Sequence, residues 1–153
     1  MERIASFSVD HDKIVPGMYI SRIDGDITSF DLRTRTPNAG DYMDNVTMHS
    51  VEHMLATFLR GGSIGKQVIY FGPMGCRTGF YLLTRDLEPA TVLEALCTAL
   101  EATVAHEGEV FGASRQECGN YLELDLAAAK KECAAYLDVL KKHDRKGDFD
   151  YAN

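Results

Sequence analysis

Asn45-Val46-Thr47-Met48-His49-Ser50-Val51-Glu52-His53-Met54-Leu55-Ala56-Thr57-Phe58-Leu59-Arg60 is the stretch on which the reading of this chain turns. At about 100° of rotation per residue, Met48, Val51, Met54, Leu55 and Phe58 gather on one side of a helix. His49, His53, Ala56 and Arg60 fall in a narrow stripe on the other, with Glu52 on its flank. The spacing predicts a helix over Asn45–Arg60, capped by Asp44 or Asn45 and ended by Gly61-Gly62. One face of this helix packs, and the other is left for chemistry.

On the N-terminal side, Gly17 to Ile23 and Ile27 to Arg33 partly alternate apolar and polar residues around Asp24-Gly25-Asp26, a hairpin signal. Pro37-Asn38-Ala39-Gly40 breaks that pattern. On the C-terminal side, Gln67 to Phe71 and Arg77 to Arg85 read as strands around Gly72-Pro73-Met74-Gly75. Pro89 suits the first turn of a second helix, in which Val92, Leu93, Leu96, Leu100, Thr103 and Val104 recur at helical spacing to about His106, and Gly108 closes it. A last helix runs from a cap at Asp125 to about Lys142, with Leu126, Cys133, Leu137 and Leu140 on its apolar face. Residues 143–153 are polar and are expected to form a mobile tail. Strands paired by hairpin turns and interleaved with helices predict an α+β fold, an antiparallel or mixed sheet covered by helices in a two-layer sandwich.

The chain has 153 residues, of which 45% are hydrophobic and 25% charged. That length suits one domain, taken as 1–153, with one core. No repeat, low-complexity tract or linker proposes a boundary. A net charge of −7 without a clustered basic patch argues against nucleic acid. No apolar run approaches the 18 or so residues of a membrane span, and the N-terminus lacks the apolar stretch of a signal peptide. A cytoplasmic location is therefore expected, where Cys76, Cys97, Cys118 and Cys133 stay as thiols or metal thiolates.

His49 and His53, four residues apart, lie one helical turn from each other on one face and can share a metal ion. Two imidazoles need a third ligand, and a catalytic site keeps a further position open. Glu52 beside them suits proton transfer. The order His-x-x-Glu-His is also that of inverted zinc peptidases, the alternative reading, in which Glu52 would activate water and the third ligand would be a carboxylate. Cys97 and Cys133 fall inside helices and read as small buried thiols. Cys76, in a turn at the mouth of a strand, suits a reactive thiol, whereas Cys118, in Arg115-Gln116-Glu117-Cys118-Gly119-Asn120, suits a metal thiolate. Spacing alone does not decide which of Cys118, Cys76 or a carboxylate completes the site.

Read together, these segments resemble the S-ribosylhomocysteine lyase, or autoinducer-2 synthase, family. The resemblance rests on Ser6-Phe7-Ser8-Val9-Asp10-His11, Phe30-Asp31-Leu32-Arg33 followed by Pro37-Asn38, His49-Ser50-Val51-Glu52-His53, Pro73-Met74-Gly75-Cys76-Arg77-Thr78-Gly79-Phe80-Tyr81, and Cys118-Gly119. It implies that His49, His53 and Cys118 hold one divalent metal per subunit, Fe2+ or in its place Zn2+ or Co2+, as two imidazoles and a thiolate would suit. It implies catalytic roles for Cys76 and Glu52, and substrate contacts from Ser6, His11 and Arg33. Arg60 matches a basic residue near the homocysteine end. None of these four substrate-binding residues except Arg60, which lies on the site-facing stripe, carries a signal of its own.

The implied reaction moves the carbonyl of S-ribosylhomocysteine from C1 to C2 to C3 and then eliminates homocysteine, leaving 4,5-dihydroxypentane-2,3-dione, the precursor of autoinducer-2. Lewis-acid stabilisation of each enediolate would ease proton removal beside a carbonyl. A Cys76 thiolate, favoured by a nearby cation, suits the first shift, and Glu52 suits the later shift and the elimination. The family also implies a homodimer with its active sites at the subunit interface. Two places depart from the pattern: Tyr70 stands where relatives commonly carry an acidic residue, and Thr34-Arg35 replace a more usual Phe-Cys.

Overall fold

The alternation between Gly17 and Arg33 folds as the hairpin of β1 (Gly17–Asp24) and β2 (Ile27–Arg33), turned at Gly25 with φ +61°, a conformation that glycine adopts without strain. β3 (Val68–Pro73) and β4 (Gly79–Arg85) form a second hairpin, and β4 also pairs with β2. The sheet runs in the order β1-β2-β4-β3 and every pair is antiparallel, so the expected antiparallel or mixed sheet is antiparallel. Gly79 permits the central pairing, because a Cβ there would sit 2.5 Å from the Leu32 carbonyl oxygen on the neighbouring strand. The computed structural model describes residues 1–142 and 148–152.

The second hairpin turns later than the glycines and proline suggest. β3 continues through Gly72 and Pro73, and β4 starts at Gly79 rather than Arg77. The reason is a backbone bond from the Met74 N–H to the Gly79 carbonyl (2.9 Å), which keeps the ladder going past Pro73. The turn itself is 74–78, with Arg77 at φ 63°. Cys76 therefore projects from the end of the sheet and is exposed.

Helices occupy the expected segments as α2 (Asn45–Arg60), α3 (Pro89–Ala105) and α4 (Leu126–Lys142). Asp44, not Asn45, caps α2, its Oδ1 accepting from the Thr47 N–H at 2.7 Å, and Asp125 accepts from the Ala127 N–H at the start of α4. A one-turn helix α1 (Ala5–Ser8) and two short 3-10 turns (His11–Lys13 and Gly65–Gln67) are too short to leave a periodic signal in the sequence.

Strand alternation divides the sheet. Phe30 and Leu32 on β2, with their ladder partners Met18, Phe80 and Leu82, join Val51, Met54, Leu55, Leu96, Leu100 and Cys133 in one buried cluster between sheet and helices. Asp31 and Arg33 point to the other face, which no helix among α2, α3 and α4 covers. No helix among the described residues is long and apolar enough to cross a membrane.

The segment expected to be a mobile tail behaves otherwise where it is described. Phe149 is buried, and its carbonyl accepts from the Ile20 N–H of β1 at 2.8 Å. Tyr151 stacks on Tyr19 with ring centroids 4.9 Å apart. Residues 143–147 and 153 lie outside the described residues.

Burial, helped by the charge of Glu132, pushes the Cys133 thiol from 9.0 up to about 12. The folded chain thus holds this proton more tightly than the unfolded chain does. Its stabilising contribution is complete below about pH 9 and is lost as the pH rises toward about 12. Urea denaturation midpoints should therefore fall more steeply above pH 9 in the natural chain than in Cys133→Ala; equal slopes would contradict this account.

Candidate metal centre

The outward stripe of α2 is completed by two loops. The Asp125 N–H donates to Ser50 Oγ at 2.8 Å, and Ser50 is fully buried, so the segment leading into α4 is pinned against α2. That pin brings Cys118 to His49, with Sγ 3.3 Å from Nε2. One ligand atom each of His49, His53 and Cys118 lies within 4.8 Å of the others, the single such group of three His, Cys, Asp or Glu among the described residues. The sequence left open which residue joins the two histidines, and the fold places Cys118 there.

The donors are aimed as a metal site requires. His49 Nδ1 lies 3.0 Å from the Glu123 carbonyl, and His53 Nδ1 lies 2.7 Å from the Phe111 carbonyl. A carbonyl oxygen only accepts, so each Nδ1 carries the proton and each Nε2 keeps its lone pair free. Gly112, at φ +68°, lets the Phe111 loop come close, since a Cβ there would stand 3.2 Å from His53 Nδ1. The Asn120 N–H donates to Cys118 Sγ from 3.4 Å, which fixes the sulfur beside the histidines. Two borderline nitrogens and one thiolate fit Fe2+, Co2+ or Zn2+ and do not fit hard cations such as Mg2+. The peptidase alternative calls for a carboxylate as third ligand, and a thiol stands in that place.

Cys76 belongs to a different cluster. Arg33 Nη1 lies 3.9 Å from its Sγ and 2.9 Å from Thr78 Oγ1, and Sγ and Oγ1 are 3.1 Å apart. Behind it, Asp31 grips Arg33 through Nε (3.0 Å) and Nη2 (2.6 Å), with both side chains at most 3% exposed. Burial works against the Arg33 charge, but the bonds to Asp31 and its negative charge outweigh that and raise its pKa, so Arg33 is a fixed cation beside the thiol.

The remaining candidates lie elsewhere. Ser6 borders a depression of about 490 Å³ on the open face of the sheet, shared with Tyr70 and Tyr81. His11 holds the Val9 carbonyl through Nδ1 at 3.0 Å. Arg60 reaches the carbonyls of Val68 and Ile69, tying the end of α2 to β3. Among the described residues no hydrogen bond, ion pair or ring contact joins Cys76 or Arg33 to His49, Glu52, His53 or Cys118. Sequence reasoning gave Asp31, Thr78 and Tyr151 no role; the one available signal was Asp31 two residues before Arg33, a spacing that puts both on one face of a strand.

Fold and donors together define an α+β protein with a thiol-bis-imidazole group that could hold a metal ion, on a helix that also carries the acidic residue Glu52. Residues 4–146 match the S-Ribosylhomocysteinase (LuxS) family. Curated S-ribosylhomocysteine lyases are similar over nearly the whole chain. That of Clostridium acetobutylicum is 44% identical (93% of this chain and 96% of the relative), that of Finegoldia magna 43% (92% of each), and that of Phocaeicola vulgatus 40% (99% and 98%). The chain belongs to the S-ribosylhomocysteinase family.

Cys118→Ala should purify with less than about a tenth of the natural metal content, as loss of a direct ligand implies. Cys76→Ala should keep its metal. Elemental analysis of both variants checks this, and the reverse pattern would exchange the two roles.

Proposed function

We propose that this chain is a metal-dependent lyase that cleaves S-ribosylhomocysteine to homocysteine and 4,5-dihydroxypentane-2,3-dione, working as a single catalytic domain in a cytoplasmic homodimer. The observation that carries the reading is the donor triad His49, His53 and Cys118 beside Glu52, in a chain of this family. Fe2+ is the metal we assign, with Zn2+ or Co2+ able to replace it. When bound, the ion supplies Lewis acidity toward the carbonyl and hydroxyl oxygens of the sugar.

The protein's own groups then account for the proton traffic. Cys76, as a thiolate beside Arg33, takes a proton from a carbon next to the carbonyl and returns it to the neighbouring carbon, so that the carbonyl moves one position with no net oxidation. Thr78 and Arg33 fix the sulfur for that exchange. Glu52 serves the second shift in the same way. It then removes the proton that lets the C–S bond break, and the bonding pair leaves on sulfur as homocysteine. Ser6 and His11 hold ribose hydroxyls.

The positions of these groups support the dimer. Glu52 rises from the outward stripe of α2, on the helix layer, whereas Arg33 stands on the opposite face of the sheet and holds Cys76 at the sheet's end. Among the described residues no contact joins Cys76 or Arg33 to Glu52, which supports a site shared between two chains. A second copy, presenting its Arg33–Cys76 face to the α2 stripe of the first, completes two equivalent sites. The exposed Ile4 just before α1, Phe7 of α1, and Ile69 and Tyr70 of β3 supply apolar surface for that contact.

Iron- or cobalt-loaded protein given S-ribosylhomocysteine should release one free thiol per substrate consumed; well-folded, metalated protein that releases none would overturn the lyase reading. Cys76→Ala and Glu52→Gln should each be inactive alone. Mixed and re-equilibrated, they should regain about a quarter of the natural activity, since half the dimers are mixed and each has one intact site. No recovery would place both groups in one subunit.

A further inference from the structure

The end of the chain is built into the cluster behind Cys76. The Tyr151 hydroxyl donates to Asp31 Oδ2 at 2.7 Å, the same oxygen that accepts from Arg33 Nη2 at 2.6 Å. Its ring lies on Tyr19, and two residues earlier Phe149 is buried against β1 and accepts from Ile20. From the C-terminal segment to the thiol there runs an unbroken series of contacts: Tyr151 to Asp31, Asp31 to Arg33, and Arg33 to Thr78 and Cys76.

We infer that residues 149–151 are a strap that sets the strength of the cation beside Cys76, with Tyr151 as a positioning residue for proton transfer. This rests on the reading of Cys76 as the group that moves the first proton. The argument is one of hydrogen-bond supply. Asp31 is buried against the Arg33 cation, so each of its oxygens needs donors. With the Tyr151 hydroxyl in place, Arg33 shares the task of satisfying Asp31 and keeps Nη1 free for Thr78 and the thiol. Without it, the carboxylate draws more heavily on the guanidinium, which is both partly neutralised and pulled back from Cys76.

Burial and the neighbouring Asp31 charge raise the Tyr151 phenol above its ordinary range, so it remains a donor throughout the working pH range. Among the described residues, Arg33 from β2 and Tyr81 from β4 interact electrostatically with Cys76, Thr78 is the hydroxyl partner in its own turn, and the neighbouring Arg77 is turned to the Met43 carbonyl. Arg33 is the cation whose side chain contacts the sulfur, so its placement sets the field at the thiol.

Alkylation of Cys76 by iodoacetamide in the metalated full-length protein, followed by peptide mass spectrometry, reads this directly. Tyr151→Phe keeps the stacked ring and removes one oxygen. It should slow alkylation at pH 7 about threefold and leave the rate at pH 10, above the ordinary range of a thiol, unchanged. Tyr151→Ala should do the same or more. Turnover should lose kcat by a similar factor while KM holds. An unchanged pH 7 rate in both variants, even with a lowered Tm, would reduce the strap to a stabilising role and overturn the inference. Equal slowing at both pH values would overturn it as well, because that is a change of access. The alkylation ratio reports on Cys76 whether or not the protein is a lyase, so failure of the one reading is separable from failure of the other.

Discussion

The rest of the structure depends on the burial of one face of α2. Val51, Met54, Leu55 and Leu59 are at most 2% exposed, and their packing against the sheet and the other helices fixes the rotation of the helix about its axis. Fully burying side chains of this kind contributes about 1.5–3 kcal/mol each. A rotation of even a quarter turn would expose part of that stripe and carry the imidazoles away from the loops that aim them. Helical periodicity thus couples the core to the metal centre: the interaction that stabilises the fold also decides where His49 and His53 point.

The two ends of the chemistry are held by different means. Backbone carbonyls, of Glu123 and Phe111, orient the histidines, and those loops are in turn placed by the Ser50–Asp125 bond and by Gly112. Such anchors do not titrate, and each selects the Nδ1–H tautomer of the neutral imidazole. The thiol end is held by a charge pair instead. A nearby substitution can therefore alter the surroundings of Cys76 while leaving the aim of the histidines unchanged.

Much of this was legible in the sequence because it is local. The bounds of α2 follow from Asp44, the apolar stripe and Gly61-Gly62, and the helix bounds read from Pro89 and Asp125 hold because caps and periodicity act within a few residues. The His-x-x-Glu-His pattern fixes two donors by geometry alone. What the sequence did not show is non-local. Choosing Cys118 over Cys76 as the donor beside His49 depends on a bond between Ser50 and Asp125, residues that no short-range pattern relates. The late turn after β3 depends on a ladder continuing past Pro73, and the packing of Phe149 and Tyr151 depends on a sheet face formed far earlier in the chain. Polar composition suggested a free tail, yet two aromatic side chains within it suffice to dock it.

The Asp31–Arg33 pair is a costly way to hold two strand residues together. Desolvating both charges costs several kcal/mol, and well-packed apolar residues of similar volume would serve stability as well or better. Its geometry accounts for its presence in terms of direction. Asp31 occupies Nε and Nη2, the inner side of the guanidinium, so Nη1 is left projecting along the sheet toward Thr78 and Cys76. A lysine could supply the charge but not the fork, because a single ammonium satisfying Asp31 has no rigid second edge to present to the sulfur. Arginine at position 33 is therefore required by the need to face two partners at once, one that anchors it and one that it polarises.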